Sequence, residues 1–277
     1  MKKYLFGVLL AVTSVYASSA GLGVKWLDME QRYTVEDPSQ NLKATLVFPS
    51  ESAVGVFEAS ARLGQGDISF SAEVALASKY PRGTDTDWQN GMVTVYSDSK
   101  TTLDSYYHFT LSYDRPLYKH WNVGIAFFHN KSRLVWSDTH QADYVNGTYI
   151  EVDENTVRFT QKRWGTDLSL KYGDTLVGFP VSVELGWQRA WHESVDEHLN
   201  RSFYTVSENW LNGYSAVVEV TIYSQATSKF TVEGYYCHVG GNGEMEFYTT
   251  GGVHYWTLPA EFETRSQSLS LHFHHHF

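Results

Sequence analysis

The 277-residue chain contains one cysteine, Cys237, so no disulfide within it can hold the fold together. A disulfide-stapled scaffold is excluded, and Cys237, in a Tyr-Tyr-Cys stretch, reads as a packing residue. Only six prolines occur, so little interrupts long β-strands. Positive charge is short: 21 Lys and Arg against 31 Asp and Glu leave a net charge of −10. That balance argues against nucleic acid as a partner and suits attraction of cationic ligands to an external face. Beyond the N-terminal region no stretch approaches about 18 consecutive apolar residues, which excludes a transmembrane helix.

At the N-terminus, Lys2 and Lys3 precede an apolar run from Tyr4 to Val12 and then small residues. Val15 and Ala17 fit a signal-peptidase site of the A-x-A kind, and the run is shorter than the roughly 20 residues of a spanning helix. The expectation is a cleaved signal peptide over residues 1–17 and one large domain over residues 18–277.

Aromatic residues are plentiful, at 16%, yet mean hydropathy is only −0.34. The pairing suits a membrane β-barrel, where half of each strand faces water and aromatics girdle the interfaces. The alternation has a period of two. Val181, Val183, Leu185 and Trp187 interleave with Ser182, Glu184, Gly186 and Gln188. Ile68, Phe70, Ala72, Val74 and Leu76 interleave with Ser69, Ser71 and Glu73, and Ala216, Val218, Val220 and Ile222 with Ser215, Glu219 and Thr221. One face suits lipid and the other a polar interior.

Connections alternate in length. Tight turns fall near Gly64–Asp67, Tyr118–Trp121, Asp174–Gly178 and Gln225–Ser228. Long polar connections fall near Thr34–Leu42, Pro81–Ser105, Asp138–Asn155, Ser194–Phe203 and Gly240–Pro259. Four short turns and five long loops require ten strands. The fold expected is therefore an all-β, ten-stranded antiparallel transmembrane β-barrel with long extracellular loops, in the outer membrane of a Gram-negative bacterium. The last strand ends on Phe277, with Leu269, Leu271 and Phe273 on one face, as in the C-terminal signal read by barrel-assembly machinery. His274, His275 and His276 alternate faces in a strand and so do not converge as metal ligands; neither metal nor cofactor is expected.

Two acidic constellations carry chemistry. Asp85-Thr86-Asp87-Trp88 lies in the second long connection and Asp196-Glu197-His198 in the fourth, both at the external end. Two carboxylates held together raise the pKa of one of them, so that one is an acid while the other accepts. Asp196 and His198, two apart, share a strand face, and a carboxylate beside an imidazole orients the ring. A water between the pairs would be deprotonated and attack a peptide carbonyl. The bland reading is a solvated or calcium-binding acidic loop.

These motifs resemble those of the omptin family of outer-membrane endoproteases. Asp85-x-Asp87-Trp88 and Asp196-Glu197-His198 match its two acidic motifs, Tyr96-Ser97-Asp98-Ser99 resembles its Trp-Thr-Asp-x-Ser segment, and Glu30-Gln31-Arg32-Tyr33 its Glu-x-x-Tyr. The order of elements fits over nearly the whole of residues 18–277. The resemblance implies Asp85, Asp87, Asp196 and His198 as catalytic residues of an aspartic endopeptidase. It implies Glu30 as the group binding Lys or Arg before the scissile bond, Asp98 at the following position, and Ser99 in support. It also implies lipopolysaccharide as a partner on which activity can depend, with Arg133 and Arg163 meeting its phosphates. The family's acidic residue two positions before Asp196 is Ser194 here, and Lys100-Thr101-Thr102 replaces its Arg-His-Pro. Two other readings stand beside the protease: a catalytically inactive barrel acting as adhesin or structural protein, and a lipid-modifying barrel enzyme. For the latter no serine partner for His108 or His129 is evident.

Overall fold

A computed structural model describes residues 18–277, so the expected signal peptide lies outside the described residues. Every regular element among the described residues is a strand: β1 (Ser19–Asp37), β2 (Leu42–Leu63), β3 (Gly66–Ser78), β4 (Arg82–Gln89), β5 (Met92–Tyr118), β6 (Trp121–Asp143), β7 (Thr148–Val152), β8 (Val157–Leu176), β9 (Phe179–His198), β10 (Phe203–Gln225), β11 (Ser228–Thr249) and β12 (His254–His276). β3 and β4 follow one another between β2 and β5, forming a single stave broken at Lys79-Tyr80-Pro81. β7 pairs with β6 alone, as a short ladder in the β6–β8 connection. The twelve strands thus make the ten staves expected. β1 pairs with β12 from Ser19↔His276 to Val35↔Ala260, closing the ring. Closure pairs the ten staves on both sides, which leaves no open stave edge within the lipid belt.

The four tight turns stand where the sequence puts them, but the long connections are mostly strand. β1 and β2 stay paired up to Asp37↔Leu42. β4 turns into β5 at Asn90-Gly91, with φ of 52° and 79°. That is the two-residue turn with positive φ at both positions, which Asn-Gly favours because its twist matches the strands. The external end is therefore a rigid extension of the wall.

Along each stave one face is apolar only part of the way. Leu22, Val24, Ile125, Leu168, Leu185 and Leu271 point outward and are exposed, a belt that needs lipid. Its upper edge is marked by Trp164, Trp191 and Trp210, in register on β8, β9 and β10. One step further out the same face carries Lys162, Glu193 and Glu208, so there the wall meets water.

The lumen has two halves. Within the belt it is polar: Lys25 pairs with Glu73, whose Oε2 also accepts from Tyr106 Oη at 3.1 Å, and Gln188 donates to Asp167 at 2.8 Å. Above the belt the lumen is not the polar interior expected. Phe48 stacks on Trp136 (centroids 4.4 Å apart) and on Phe159 (4.6 Å), and Phe262, Leu211 and Met245 join this core. Where the outer face of the wall meets water above the belt, the inward face is the one place left for apolar burial.

This topology predicts accessibility. An epitope inserted at Asn146-Gly147 should be labelled by antibody on intact cells, and one at Val177-Gly178 only after permeabilisation. The reverse pattern would invert the barrel.

Candidate active site

The acidic groups reach one groove from two walls. On β4, Asp85 and Asp87 are two apart and share the inward face, opposite Leu46 and Ala44 of β2. A bulge follows: Asp87 pairs with Val95 but Trp88 with Val93, and Thr94 Oγ1 donates to the Asp87 carbonyl at 3.2 Å. Such an extra residue re-aims its neighbours, and both Trp88 and Thr94 line the groove. On β9, the inward residues include Ser194, Asp196 and His198. Asp85, Asp87 and His198 line the groove, while Asp196 lies beneath it, 1% exposed.

Asp196 is held from two sides. Its Oδ2 accepts a hydrogen bond from the Tyr33 hydroxyl and lies 3.3 Å from His198 Nε2. The His198 ring stacks on Phe203, centroids 4.2 Å apart at 26°. Ring position and tilt are thus fixed by a carboxylate below and an aromatic face alongside. Tyr33 itself rests on Phe48 and Phe159.

The aromatic floor sets the electrostatics. Burial, then the like charge of Asp87, pushes the Asp85 carboxyl up to about 7, against the pull of His198 and Arg201. Burial also raises Asp87, opposed by Arg201 and His198. Burial, then the Asp196 charge, raises the Tyr33 hydroxyl well above its ordinary value, so it stays a donor. Asp85 Oδ1 and Asp196 Oδ1 are buried without a protein hydrogen-bond partner among the described residues. Near neutral pH Asp85 is poised between its acid and carboxylate forms, the condition for paired acid and base roles.

The other residues singled out from the sequence lie elsewhere. Glu30 faces outward and accepts from Arg32 at 3.4 Å, beside Arg265 on the outer wall. Asp98 also faces outward, bound by Arg82 Nε at 3.0 Å, with Asp138 and His140 close by. Ser99 is fully buried, its hydroxyl 2.8 Å from that of Thr139. Glu30 and Asp98 therefore cannot bind a side chain in the groove, nor can Ser99 reach it. Arg133 faces outward, 3.4 Å from Asp104. Arg163 points into the lumen, its Nε donating to Asn130 at 3.4 Å, so it cannot meet a lipid phosphate; the outward neighbour is Lys162.

Parity was the available signal. Glu30 and Tyr33, three apart in a strand, face opposite ways, as do Asp98 and Ser99. Sequence reasoning missed Tyr33 as the support of Asp196. It also missed the groove walls, which are apolar: Val35, Leu42, Phe203, Phe247, Trp256 and Leu258, with Lys43 and Arg201 as cations and Asp37 as a further acid.

A closed barrel with a lipid belt and a carboxylate–histidine groove at its outer mouth defines a β-barrel of outer-membrane type. The sequence matches no protein-family model and no curated protein. The fold is similar to that of the outer membrane protease OmpT from Escherichia coli, with a TM-score of 0.81 over 94% of this chain and 96% of that one, at 15% identity. The likeness to an omptin is thus one of fold over the whole domain. The translocator domain of autotransporter NalP from Neisseria meningitidis (TM-score 0.41, 9% identity, 100% of this chain and 96% of that one) and OprG from Pseudomonas aeruginosa (0.38, 10%, 95% and 98%) are much more distant.

The dyad predicts a pH-dependent stability. The folded chain keeps the Asp85 proton up to about 7, whereas an unperturbed carboxyl releases it near 3.8. Between those values the folded state binds more protons, so this group's contribution falls as pH rises through the window. Asp85→Asn should therefore unfold at higher temperature than the parent at pH 8, by on the order of 1–4 kcal/mol of stability, with little gain at pH 4. Thermal unfolding in detergent, followed by circular dichroism, checks this; an equal gain at both pH values would refute a desolvated Asp85.

Proposed function

We propose that the chain is an outer-membrane endopeptidase whose groove faces the cell exterior. The observation that carries the reading is the convergence of Asp85 and Asp87 from β4 with the Asp196–His198 pair from β9 on a single groove. With Nε2–H donating to Asp196, His198 Nδ1 takes a proton from a water held against the dyad. The resulting hydroxide attacks the peptide carbonyl carbon, and Asp85, as a carboxylic acid, donates a hydrogen bond to the carbonyl oxygen as it gains charge. The imidazolium then returns the proton to the amide nitrogen as the C–N bond breaks. Asp196 and Tyr33 act through His198 as positioning residues.

The groove favours apolar over basic side chains next to the scissile bond. Both acids proposed to bind Lys or Arg lie on the outer wall, the family's further acid is Ser194, and the walls beside His198 are Phe203, Phe247, Trp256 and Leu258. Burying a Phe or Leu side chain there is worth about 1.5–3 kcal/mol, whereas a Lys or Arg would find Asp37 as the one acid lining the groove outside the dyad among the described residues, with Arg201 as a like charge. Lipopolysaccharide is the proposed lipid partner, with Arg133 and Lys162 on the outer wall above the belt as its cationic contacts.

Refolded protein with lipopolysaccharide should cleave a quenched peptide. His198→Ala and Asp87→Ala should each lower kcat/KM by at least about 10²-fold while keeping the heat-modifiable gel mobility of a folded barrel. Parent-like rates in either variant would refute the mechanism. Cleavage by none of the proteins, across a degenerate peptide library, would instead favour an inactive barrel acting as an adhesin. Tyr33→Phe should lower kcat about tenfold with little change in KM.

The same library reads specificity. Peptides with Phe or Leu beside the cleaved bond should exceed their Arg or Lys counterparts in kcat/KM by about tenfold or more. Preference for Arg or Lys would place a basic pocket elsewhere in the groove and overturn the apolar assignment.

A further inference from the structure

At the opposite end of the lumen, far from the groove, three side chains converge that the proposed chemistry does not use. Glu58 on β2 and His274 on β12 both sit in register with Gly21 of β1, one on each side, and His272 sits in register with Gly23. The glycines matter here. A Cβ on Gly21 would lie 2.6 Å from His274 Nδ1, and one on Gly23 2.8 Å from His272 Nδ1. Because β1 carries no side chain at these two inward positions, groups from the strands flanking it reach over it and meet. Glu58 Oε2 lies 3.0 Å from His272 Nδ1 and 3.7 Å from His274 Nε2, and the three ligand atoms all fall within 4.8 Å of one another.

We propose that Glu58, His272 and His274 bind one divalent transition-metal ion of the Zn2+ type at the periplasmic end of the lumen. Two imidazoles and one carboxylate suit such an ion, which takes ligands at about 2.0–2.2 Å. Donor atoms this close are brought around a common centre by small side-chain rotations. His272 is already oriented: its Nε2 lies 2.8 Å from Ser270 Oγ, leaving Nδ1 toward Glu58. Such a second hydrogen bond fixes the ring and its tautomer. The surrounding cations are engaged elsewhere, Lys25 with Glu73 and Lys229 with Glu219, while Glu233 adds negative charge facing His272. His275 points to the other face and takes no part.

The position gives the ion a role. β1 and β12 form the seam at which the barrel closes, and the ligands come from β12 and from β2 on the far side of β1. A bound ion ties three adjacent strands across that seam. It stabilises the closed barrel in proportion to the logarithm of its free concentration over Kd.

Refolded full-length protein, stripped with chelator, is titrated with Zn2+ by calorimetry and with Co2+ by visible absorption. The parent should bind one ion per barrel and unfold at higher temperature in its presence. His274→Ala and Glu58→Gln should each weaken binding by at least about 10²-fold and lose the thermal shift, and Ser270→Ala should weaken it about tenfold or more. His198→Ala, at the other end of the barrel, should bind as the parent does. Heat-modifiable mobility confirms that each variant has closed, and Glu58→Gln serves if His274→Ala does not. Absence of stoichiometric binding by the parent overturns the proposal, as does parent-like binding by a folded His274→Ala or Glu58→Gln, or loss of the site in His198→Ala.

Discussion

The aromatic floor inside the outer half of the barrel is the feature on which the rest of the external end depends. Phe48, Trp136, Phe159 and Phe262 fill the lumen where the wall rises above lipid. A strand there has water on its outer face, so its inward side chains have to supply the buried surface that holds the extension together. The same floor supports Tyr33 and, through it, the buried Asp196, and burial is also what raises the Asp85 carboxyl. A wall of equal length over a water-filled lumen would hold the same four residues, but Asp85 would be an ordinary carboxylate unable to retain a proton near neutrality. Packing and proposed chemistry thus share one cause.

Rigidity follows from the same construction. The external connections are ladders continued from the staves: Asp196 is positioned by a β8–β9 register that begins inside the membrane, and Asp85 by β4, which pairs with β2 beyond the break at Lys79-Tyr80-Pro81. A bulge at Thr94 of β5, opposite the Asp87–Trp88 step of β4, is a local departure from that regularity, and both Trp88 and Thr94 line the groove. Sites on strands hold geometry more closely than sites on loops. The Tyr33–Asp196–His198 series illustrates this: its three members stand on β1 and β9, on opposite sides of the mouth, and meet over the floor.

Much of this was legible in the sequence. The period-two pattern, four tight turns and five long connections imply ten staves, and lipid allows them only as a closed barrel. The inward parity shared by Asp196 and His198, and by Asp85 and Asp87, is a local property of strands, and spacing alone reveals it. What was not legible depends on contacts between distant residues. Nothing near Tyr33 in sequence announces Asp196, 163 positions away. The apolar filling of the outer lumen was hidden because inward apolar residues there alternate with outward polar ones, the same pattern in reverse phase. Glu30, Asp98 and Arg163 hold the motif positions, but strand parity turns each away from the site that position implies. Asn90-Gly91, inside the long Pro81–Ser105 connection, is a strong hairpin signal.

The two ends of the tube make opposite use of one device. At the outer mouth, bulky inward residues exclude water and leave carboxylates strained toward their neutral forms. At the periplasmic end, inward Gly21 and Gly23 remove bulk, and polar groups of neighbouring strands meet across the gap. A His-rich C-terminal strand looks unsuited to binding when its histidines are taken alone, since adjacent ones alternate faces. The alternation also leaves His272 and His274 together on the lumen face, and the third ligand comes from β2, which only barrel closure brings within reach. A site of that kind exists only once the first and last strands have paired, so its occupancy reports the completed ring.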